Sequence, residues 1–209
     1  MHATWYFDFI SPYSYLQLAR VHAWRSRFDI EPVPVAFGAI LNQLGSVGPA
    51  ETQGKREFTY RSVQWQAERN GTPLRFPPAH PFNPLLALRL CIAAGSTWSA
   101  TEAIFAHLWR DGRAGTTAAE LADVGAALGI ADIDRAVSND EVKLKLRANT
   151  DAAIAAGVFG VPTLRIGGEL FWGNDASDMV EDWLADPKRF DGEEYRRLAA
   201  LPIGVQRKR

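Results

Sequence analysis

The stretch YFDFISPYSYLQLAR, from Tyr6 to Arg20, decides the fold. The alternating, aromatic-rich residues that lead into it predict a short strand. Pro12 suits the first turn of a helix, because its missing N–H would be unpaired there in any case. Apolar residues from Tyr15 to Trp24 then predict a helix over about 12–27. A strand therefore passes into a helix through a short polar turn at Ser11, a place where folds often put reactive groups.

The next stretch, DIEPVPVAFG, is extended. Its two prolines are incompatible with a helix and indicate strand residues near Val33 to Phe37. The first 38 residues are thus predicted to form a strand, a helix and a second strand, in that order. This order predicts a βαβ unit, with a parallel strand pair and a right-handed crossover.

The middle of the chain, residues 39–156, is of a different kind. It opens with a glycine-rich loop, AILNQLGSVGPAETQG. Apolar periodicity and capping residues then predict helices near 55–71, 83–94, 98–111, 117–128 and 139–156, the last ending at Gly157. Because strand signals resume afterwards, we interpret residues 39–156 as an all-helical insertion.

The sheet-type pattern resumes at residue 157. The segments VPTLRI and ELFW flank Gly167-Gly168, which predicts a two-residue hairpin, and Asn174 or Asp175 is predicted to cap a helix over ASDMVEDWLA. A βαβ unit and a ββα unit are the two halves of a thioredoxin-like fold. The prediction is thus an α/β chain with a thioredoxin-like domain from 1–38 and 157–186. The remainder, 187–209, is polar, ends in QRKR and is predicted to be a tail.

Composition excludes several classes of function. The chain has 209 residues, 47% of them hydrophobic, and a net charge of −1, so neither a nucleic acid nor an anionic membrane is an expected partner. No apolar run approaches the roughly 18–20 residues that a membrane helix needs. The single cysteine, Cys91, is interpreted as a buried helical thiol, and four scattered histidines show no metal-ligand spacing, so no metal is expected. We expect a cytoplasmic protein.

Ser11 is the first candidate site residue. In a thioredoxin-like fold the reactive group lies at the start of the first helix, where free N–H groups and the helix dipole favour an anion. Serines occupy both cysteine positions of the motif Ser11-Pro12-Tyr13-Ser14, so dithiol chemistry is excluded. The site suits a thiolate that a ligand supplies. The alternative is that Ser11 only caps the helix.

Val161-Pro162 is the second candidate. A proline directly before a strand in this half of the fold predicts a cis bond, which would turn the Val161 backbone groups outward to pair with an extended peptide. An ordinary trans proline at the strand entry is the alternative.

The remaining candidates each have a structural alternative. Asn174 and Asp175 suit the head group of an α-amino acid, or they simply cap a helix. Lys55 would anchor a carboxylate, or it is a solvated lysine. Aromatic side chains beside these residues are core by default, or they line an aromatic substrate pocket. The pocket candidates are Phe9, Tyr13 and Trp172.

Several blocks together resemble the 2-hydroxychromene-2-carboxylate isomerases, relatives of the kappa-class glutathione transferases. They are FDFISPYSYL, FGAI, FGVPT and FWGND, and the resemblance spans about residues 4–185. It implies a thioredoxin domain with a helical insertion, and glutathione as cofactor.

The resemblance also implies roles for individual residues. Ser11 would hold the glutathione thiolate, and Val161, before a cis Pro162, would pair with the cysteinyl backbone. Asn174 and Asp175 would bind the γ-glutamyl end. Lys55 would bind the other end or the substrate carboxylate. The chain departs from the family where a Tyr, an acidic residue and an Arg usually follow that lysine; here the residues are Phe58, Ser62 and Trp65.

The expected function is a glutathione-dependent isomerase that interconverts a cyclic hemiketal acid and an open trans-benzylidenepyruvate in aromatic degradation. Its substrate would be a small aromatic or unsaturated keto acid, and a homodimer is left open. A kappa-like glutathione transferase is the nearest alternative. The other is a non-catalytic thioredoxin-like binding module, although Lys55 and Asn174-Asp175 suit a small zwitterion better than a long peptide.

Overall fold

A computed structural model describes residues 1–205 and contains one four-stranded sheet in the order β2-β1-β3-β4. Strand β1 is parallel to β2 and antiparallel to β3, and β3 is antiparallel to β4. This confirms the predicted thioredoxin-like arrangement of a βαβ and a ββα half. The strands are β1 (His2–Phe7), β2 (Asp29–Pro34), β3 (Thr163–Ile166) and β4 (Glu169–Trp172), and helix α1 (Pro12–Trp24) joins the first two.

Strand β2 begins and ends earlier than the predicted Val33 to Phe37. The N–H groups of Asp29 and Val35 bond to carbonyls at the two ends of β1, 3.1 and 2.9 Å away. Alternation then turns the nitrogens of Pro32 and Pro34 to the open side of the sheet, where a missing donor leaves no ladder bond unmade. The prolines are thus compatible with a full edge strand.

The insertion is helical, as predicted, with two additions. Helix α2 (Phe37–Gln43) occupies the start of the predicted glycine-rich loop, and helix α7 (Ile133–Ser138) was not predicted. Both are six or seven residues long, too short for apolar periodicity to reveal them. The other insertion helices are α3 (Lys55–Asn70), α4 (Leu85–Ala93), α5 (Trp98–Phe105, continued by a π-helical turn to Arg110), α6 (Ala122–Ala127) and α8 (Asp140–Ala155).

The hairpin between β3 and β4 turns at Gly167 and Gly168, with φ of 59° and 94°. Both values lie in the left-handed region that a type I′ turn requires, so the predicted two-residue turn is confirmed.

The C-terminal part differs from the prediction in two ways. The helix after β4 starts as a 3₁₀ turn, Asn174–Ala176, and continues as α9 (Ser177–Ala185) without a side-chain cap, so neither Asn174 nor Asp175 caps it. The segment predicted to be a tail contains α10 (Glu193–Ala199), and Phe190 before it packs on the core. The QRKR segment lies outside the described residues.

Two hydrophobic clusters join the sheet and the insertion, and the larger contains the aromatic residues of β1. The rings of Trp5 and Phe7 from β1 stack with centroids 4.7 Å apart, and Phe105 from α5 packs on Phe7 and Phe9 at 5.5 and 4.7 Å. The start of α1 is therefore held between the sheet below it and the insertion beside it. No helix within residues 1–205 is long and apolar enough to cross a membrane.

Candidate active site

Ser11 lies where the first helix meets the loop before β3. Its Oγ accepts the Ser14 N–H at 3.2 Å, which makes it the N-cap of α1. The same hydroxyl donates to the Val161 carbonyl at 3.4 Å. That separation is beyond the usual range for O–H···O bonds, so the donor is weakly engaged. The Val161-Pro162 bond is cis, as predicted.

The chain supplies no thiol at this place. Ser14, in the second cysteine position, is fully buried, and its hydroxyl has no hydrogen-bond partner within the described part of the chain. Cys91 is buried in α4, and burial raises the pKa of its thiol to about 12. Dithiol exchange is therefore impossible, and any thiolate at Ser11 comes from a ligand.

An apolar cavity of about 400 Å³ opens beside Ser11. Tyr13, Val161 and Trp172 line it, together with residues of α2 and of the segment before α4. Trp172 is 52% exposed and lies against Phe159, with ring centroids 5.0 Å apart. Four predicted site residues thus meet around one cavity, which we call the apolar cavity: Ser11, Tyr13, Val161 and Trp172. Within residues 1–205, no Lys or Arg lines it.

A second, polar cavity of about 370 Å³ adjoins the later turns of α1. Asn174 and Asp175 line it, as do Arg20 and Asp178, whose charged groups are 3.6 Å apart. Asn174 also donates from Nδ2 to Gln66 at 3.0 Å. Groups of both charges therefore face this cavity, as a zwitterionic ligand requires. The two cavities follow one another along α1 and along residues 172–175.

Two predicted site residues lie elsewhere. Phe9 is 0% exposed and packs against Phe7 and Phe105, so the prediction that it lines the pocket is wrong. Its side chain points into the core because it continues the inward-facing alternation of β1. Lys55 begins α3 as predicted, but it is exposed and lines neither cavity. Phe58 and Trp65 on the same helix are also exposed.

Asp8 is a buried residue of this site that sequence analysis did not select. It is 0% exposed, its Oδ1 accepts the Ile10 N–H at 3.0 Å, and its Oδ2 accepts the Phe37 N–H at 2.8 Å. Burial raises the pKa of the carboxyl to about 7, against the opposing effect of these backbone N–H groups. The signal in the sequence was a charged residue within an apolar, aromatic stretch.

His80 is the second such residue. Its Nε2 lies 2.9 Å from the Ile10 carbonyl, which only accepts, so this nitrogen carries a proton. Its Nδ1 lies 2.8 Å from the Tyr60 hydroxyl. Burial lowers the pKa of the imidazole, which favours the neutral ring. His80 lines the apolar cavity and ties the insertion to the loop before Ser11. Within the described chain, no cluster of side chains has the composition of a metal site.

The fold and the site together define a class: a thioredoxin-like protein in which serines replace the dithiol and a helical insertion forms part of the cavity wall. Comparison with known families places the chain more narrowly. The model of the DsbA-like thioredoxin domain matches residues 4–185, and the chain belongs to this family.

Individual relatives confirm the resemblance found in the sequence. A 2-hydroxychromene-2-carboxylate isomerase from Pseudomonas sp. (strain C18) is 32% identical over 85% of this chain and 87% of its own length. Glutathione S-transferase kappa 2 from Caenorhabditis elegans is 28% identical over 87% of this chain and 91% of its own length. The solved structure of a 2-hydroxychromene-2-carboxylate isomerase superposes with a TM-score of 0.78 at 26% identity, covering 91% of this chain and 98% of that one.

Proposed function

We propose that this protein is a glutathione-dependent isomerase of the 2-hydroxychromene-2-carboxylate type. The observation that carries the proposal is Ser11, placed at the start of α1 between an apolar and a polar cavity in a chain without a thiol of its own at that place. Such a site needs a ligand that brings a sulfur to Ser11 and a charged head group to the polar cavity.

Glutathione fits these two requirements in length. Leu16 and Arg20, which line the polar cavity, follow Ser11 by five and nine residues. At 1.5 Å per residue, they lie about 7.5 and 13.5 Å further along α1. In glutathione, seven bonds separate the cysteinyl sulfur from the glutamyl α-carbon, an extended reach of roughly 8–9 Å. The thiol can therefore lie at Ser11 while the γ-glutamyl group reaches the polar cavity.

The polar cavity offers a suitable set of donors and acceptors. The carboxylate of Asp175 would receive the γ-glutamyl ammonium, and Arg20 and Asn174 would donate to the neighbouring carboxylate. The Val161 backbone would pair with the cysteinyl unit. We therefore predict that these residues bind glutathione, and that Lys55, which lines neither cavity, does not.

When bound, glutathione supplies a thiolate that adds reversibly to the β-carbon of an unsaturated ketone and so frees the bond to rotate. The chain's part is to stabilise that anion. A free thiol has a pKa of about 8.5, and lowering it by two units requires about 2.7 kcal/mol. A hydroxyl donor to a charged group contributes about 1.5–3 kcal/mol, and the N-terminus of α1 adds to it. The apolar cavity would hold the hydrophobic part of an aromatic keto acid away from water.

A glutathione transferase is the second candidate, because a kappa-class transferase is among the relatives. The same thiolate would then stay attached to its electrophile. Incubation with an aromatic enone distinguishes the two activities, since an isomerase regenerates free glutathione and a transferase consumes it.

Glutathione binding is the first test. We expect millimolar reduced glutathione to raise the melting temperature, because a ligand at 100 times its Kd stabilises the folded state by about 2.7 kcal/mol. Asp175→Asn should lose most of this shift. Asp123→Asn should keep it, because Asp123 pairs with Arg113 on the surface. No shift in the wild type, and no heat in calorimetry, would contradict the proposal.

A further inference from the structure

The Asp8 carboxyl is buried without a counter-ion. Within residues 1–205 it forms no ion pair, and the hydrogen bonds that it accepts come from the backbone N–H groups of Ile10, Phe37 and Phe9. The other titratable groups around the apolar cavity are Tyr13, Glu51 and His80. Glu51 accepts the Gly48 N–H at 2.8 Å, and His80 is held between Ile10 and Tyr60, with Arg56 on its outer side. Within residues 1–205, Arg56 bonds to the His80 carbonyl but no Lys or Arg lines the cavity, so no cation pairs with a charge on Asp8.

Asp8 and Ser11 belong to one turn. The Ser11 N–H donates to the Asp8 main-chain carbonyl at 3.0 Å, while Oδ1 of Asp8 holds Ile10 by its N–H. One peptide unit, with ~3.8 Å between its Cα atoms, separates Ile10 from Ser11. The carboxyl is consequently well within the ~10 Å over which charges interact at 0.1 M salt, and buried charges are screened less than exposed ones.

We infer that Asp8 carries the negative charge of this site before glutathione binds and becomes protonated when the glutathione thiolate forms at Ser11. The inference rests on the proposed function. The S–H bond of the ligand breaks, an O–H bond forms on the Asp8 carboxylate, and the net charge of −1 is conserved, so no proton passes to the buffer. Asp8 does not touch the ligand. It is a positioning residue that orders the loop and sets the charge of the site.

The physical reason is that one buried site does not hold two like charges. A second anion close to a first strongly raises the pKa of one of the two groups, so they titrate as a pair. The N-terminus of α1 offers about half a positive charge, enough to favour one anion. The raised pKa of Asp8, about 7, means that the carboxyl is ionised at pH 8 and ready to take up a proton.

The experiment counts protons. Glutathione is titrated calorimetrically at pH 8 in two buffers of different ionisation enthalpy, and ultraviolet absorbance reports whether the bound thiol is ionised. At that pH about three-quarters of free thiols with a pKa near 8.5 are protonated. We expect the wild type to form the thiolate and release close to no protons. The Asp8→Asn variant should release about 0.8 protons per glutathione bound, and the thiol of its bound glutathione should ionise at a lower pH than in the wild type.

Asp123→Asn is the matched control, because it removes an exposed carboxylate that pairs with Arg113 and does not line the cavity, and it should match the wild type. Thiolate formation in the wild type with release of about 0.8 protons would overturn the inference, and this measurement needs no folded Asp8 variant. Binding of glutathione without thiolate absorbance would overturn the proposed mechanism and the inference with it. The two failures are thus told apart by the absorbance.

Discussion

At the scale of single residues, Ser11 combines a structural and a proposed chemical part. It caps α1 through Ser14, and its hydroxyl reaches the Val161 carbonyl over 3.4 Å. The two alternatives that the sequence left open, a cap or a thiolate donor, are therefore compatible. A hydroxyl oxygen accepts the N–H while its proton stays free to turn toward a better acceptor.

Ser11→Ala tests the second part. Losing one donor to a charged group costs about 1.5–3 kcal/mol, so we expect the pKa of bound glutathione to rise by about one to two units. Thiolate absorbance followed against pH measures this. Ser14→Ala is the control, because the buried Ser14 hydroxyl has no partner within the described residues. Its removal should leave the thiol pKa unchanged and should not destabilise the protein. An unaltered titration in Ser11→Ala would leave Ser11 as a cap only.

At the scale of elements, a glycine sets the contact between the loop before β3 and the end of β4. A Cβ on Gly160 would collide with the indole ring of Trp172, whose edge lies directly over the backbone. The absence of a side chain thus lets Trp172 lie at the mouth of the apolar cavity. The FGVPT and FWGND blocks, quoted separately in the sequence, meet here.

Gly160→Ala should displace Trp172 while changing the free energy of unfolding by less than about 1 kcal/mol, because the indole is half exposed and free to swing outward, and because alanine also lowers the entropy of the unfolded chain. We expect kcat/KM for an aromatic substrate to fall at least tenfold. The double variant with Trp172→Ala is the comparison. If the two substitutions lower kcat/KM additively, and the double variant is not simply as impaired as Trp172→Ala alone, then Gly160 does not act through Trp172.

At the scale of the whole molecule, the sheet and the insertion share their larger hydrophobic cluster. Phe105 of α5 lies against Phe7, Phe9 and Tyr15, and the Trp109 indole donates to the Phe9 carbonyl at 2.8 Å. The turn that carries Ser11 is thereby packed from both sides. Although the insertion is one continuous segment of the sequence, its side chains fill the same hydrophobic cluster as those of the sheet, so we expect the two to unfold together.

Phe105→Ala should destabilise the protein by about 3–5 kcal/mol, the usual cost of removing a buried aromatic ring. Unfolding should remain a single transition, coincident by far- and near-ultraviolet circular dichroism. Phe58→Ala is the control, since Phe58 is 62% exposed and its loss should cost within about 0.5 kcal/mol. Two separate transitions would mean that the insertion folds independently of the sheet.

The sequence by itself determined the order and type of most elements. Strand alternation, helix periodicity and turn residues are local properties, so Pro12 after β1 and Gly167-Gly168 between β3 and β4 were sufficient signals. The local blocks also predicted four residues that meet at the apolar cavity: Ser11, Tyr13, Val161 and Trp172. The short helices α2 and α7 were not predicted, because six or seven residues are too few to show an apolar periodicity.

Only the tertiary structure decided which side chains face the cavity and what charge they carry. Phe9 and Trp172 are both aromatic residues beside site motifs, yet one is in the core and the other at the cavity mouth. Asp8 follows β1 directly and is buried where the first residue of α2, Phe37, donates its N–H to the carboxylate, and His80 lies against Ile10 although 70 residues separate the two in the chain. Burial and proximity depend on contacts between distant segments, and free energies that follow from them, such as the raised pKa of Asp8, have no local signature.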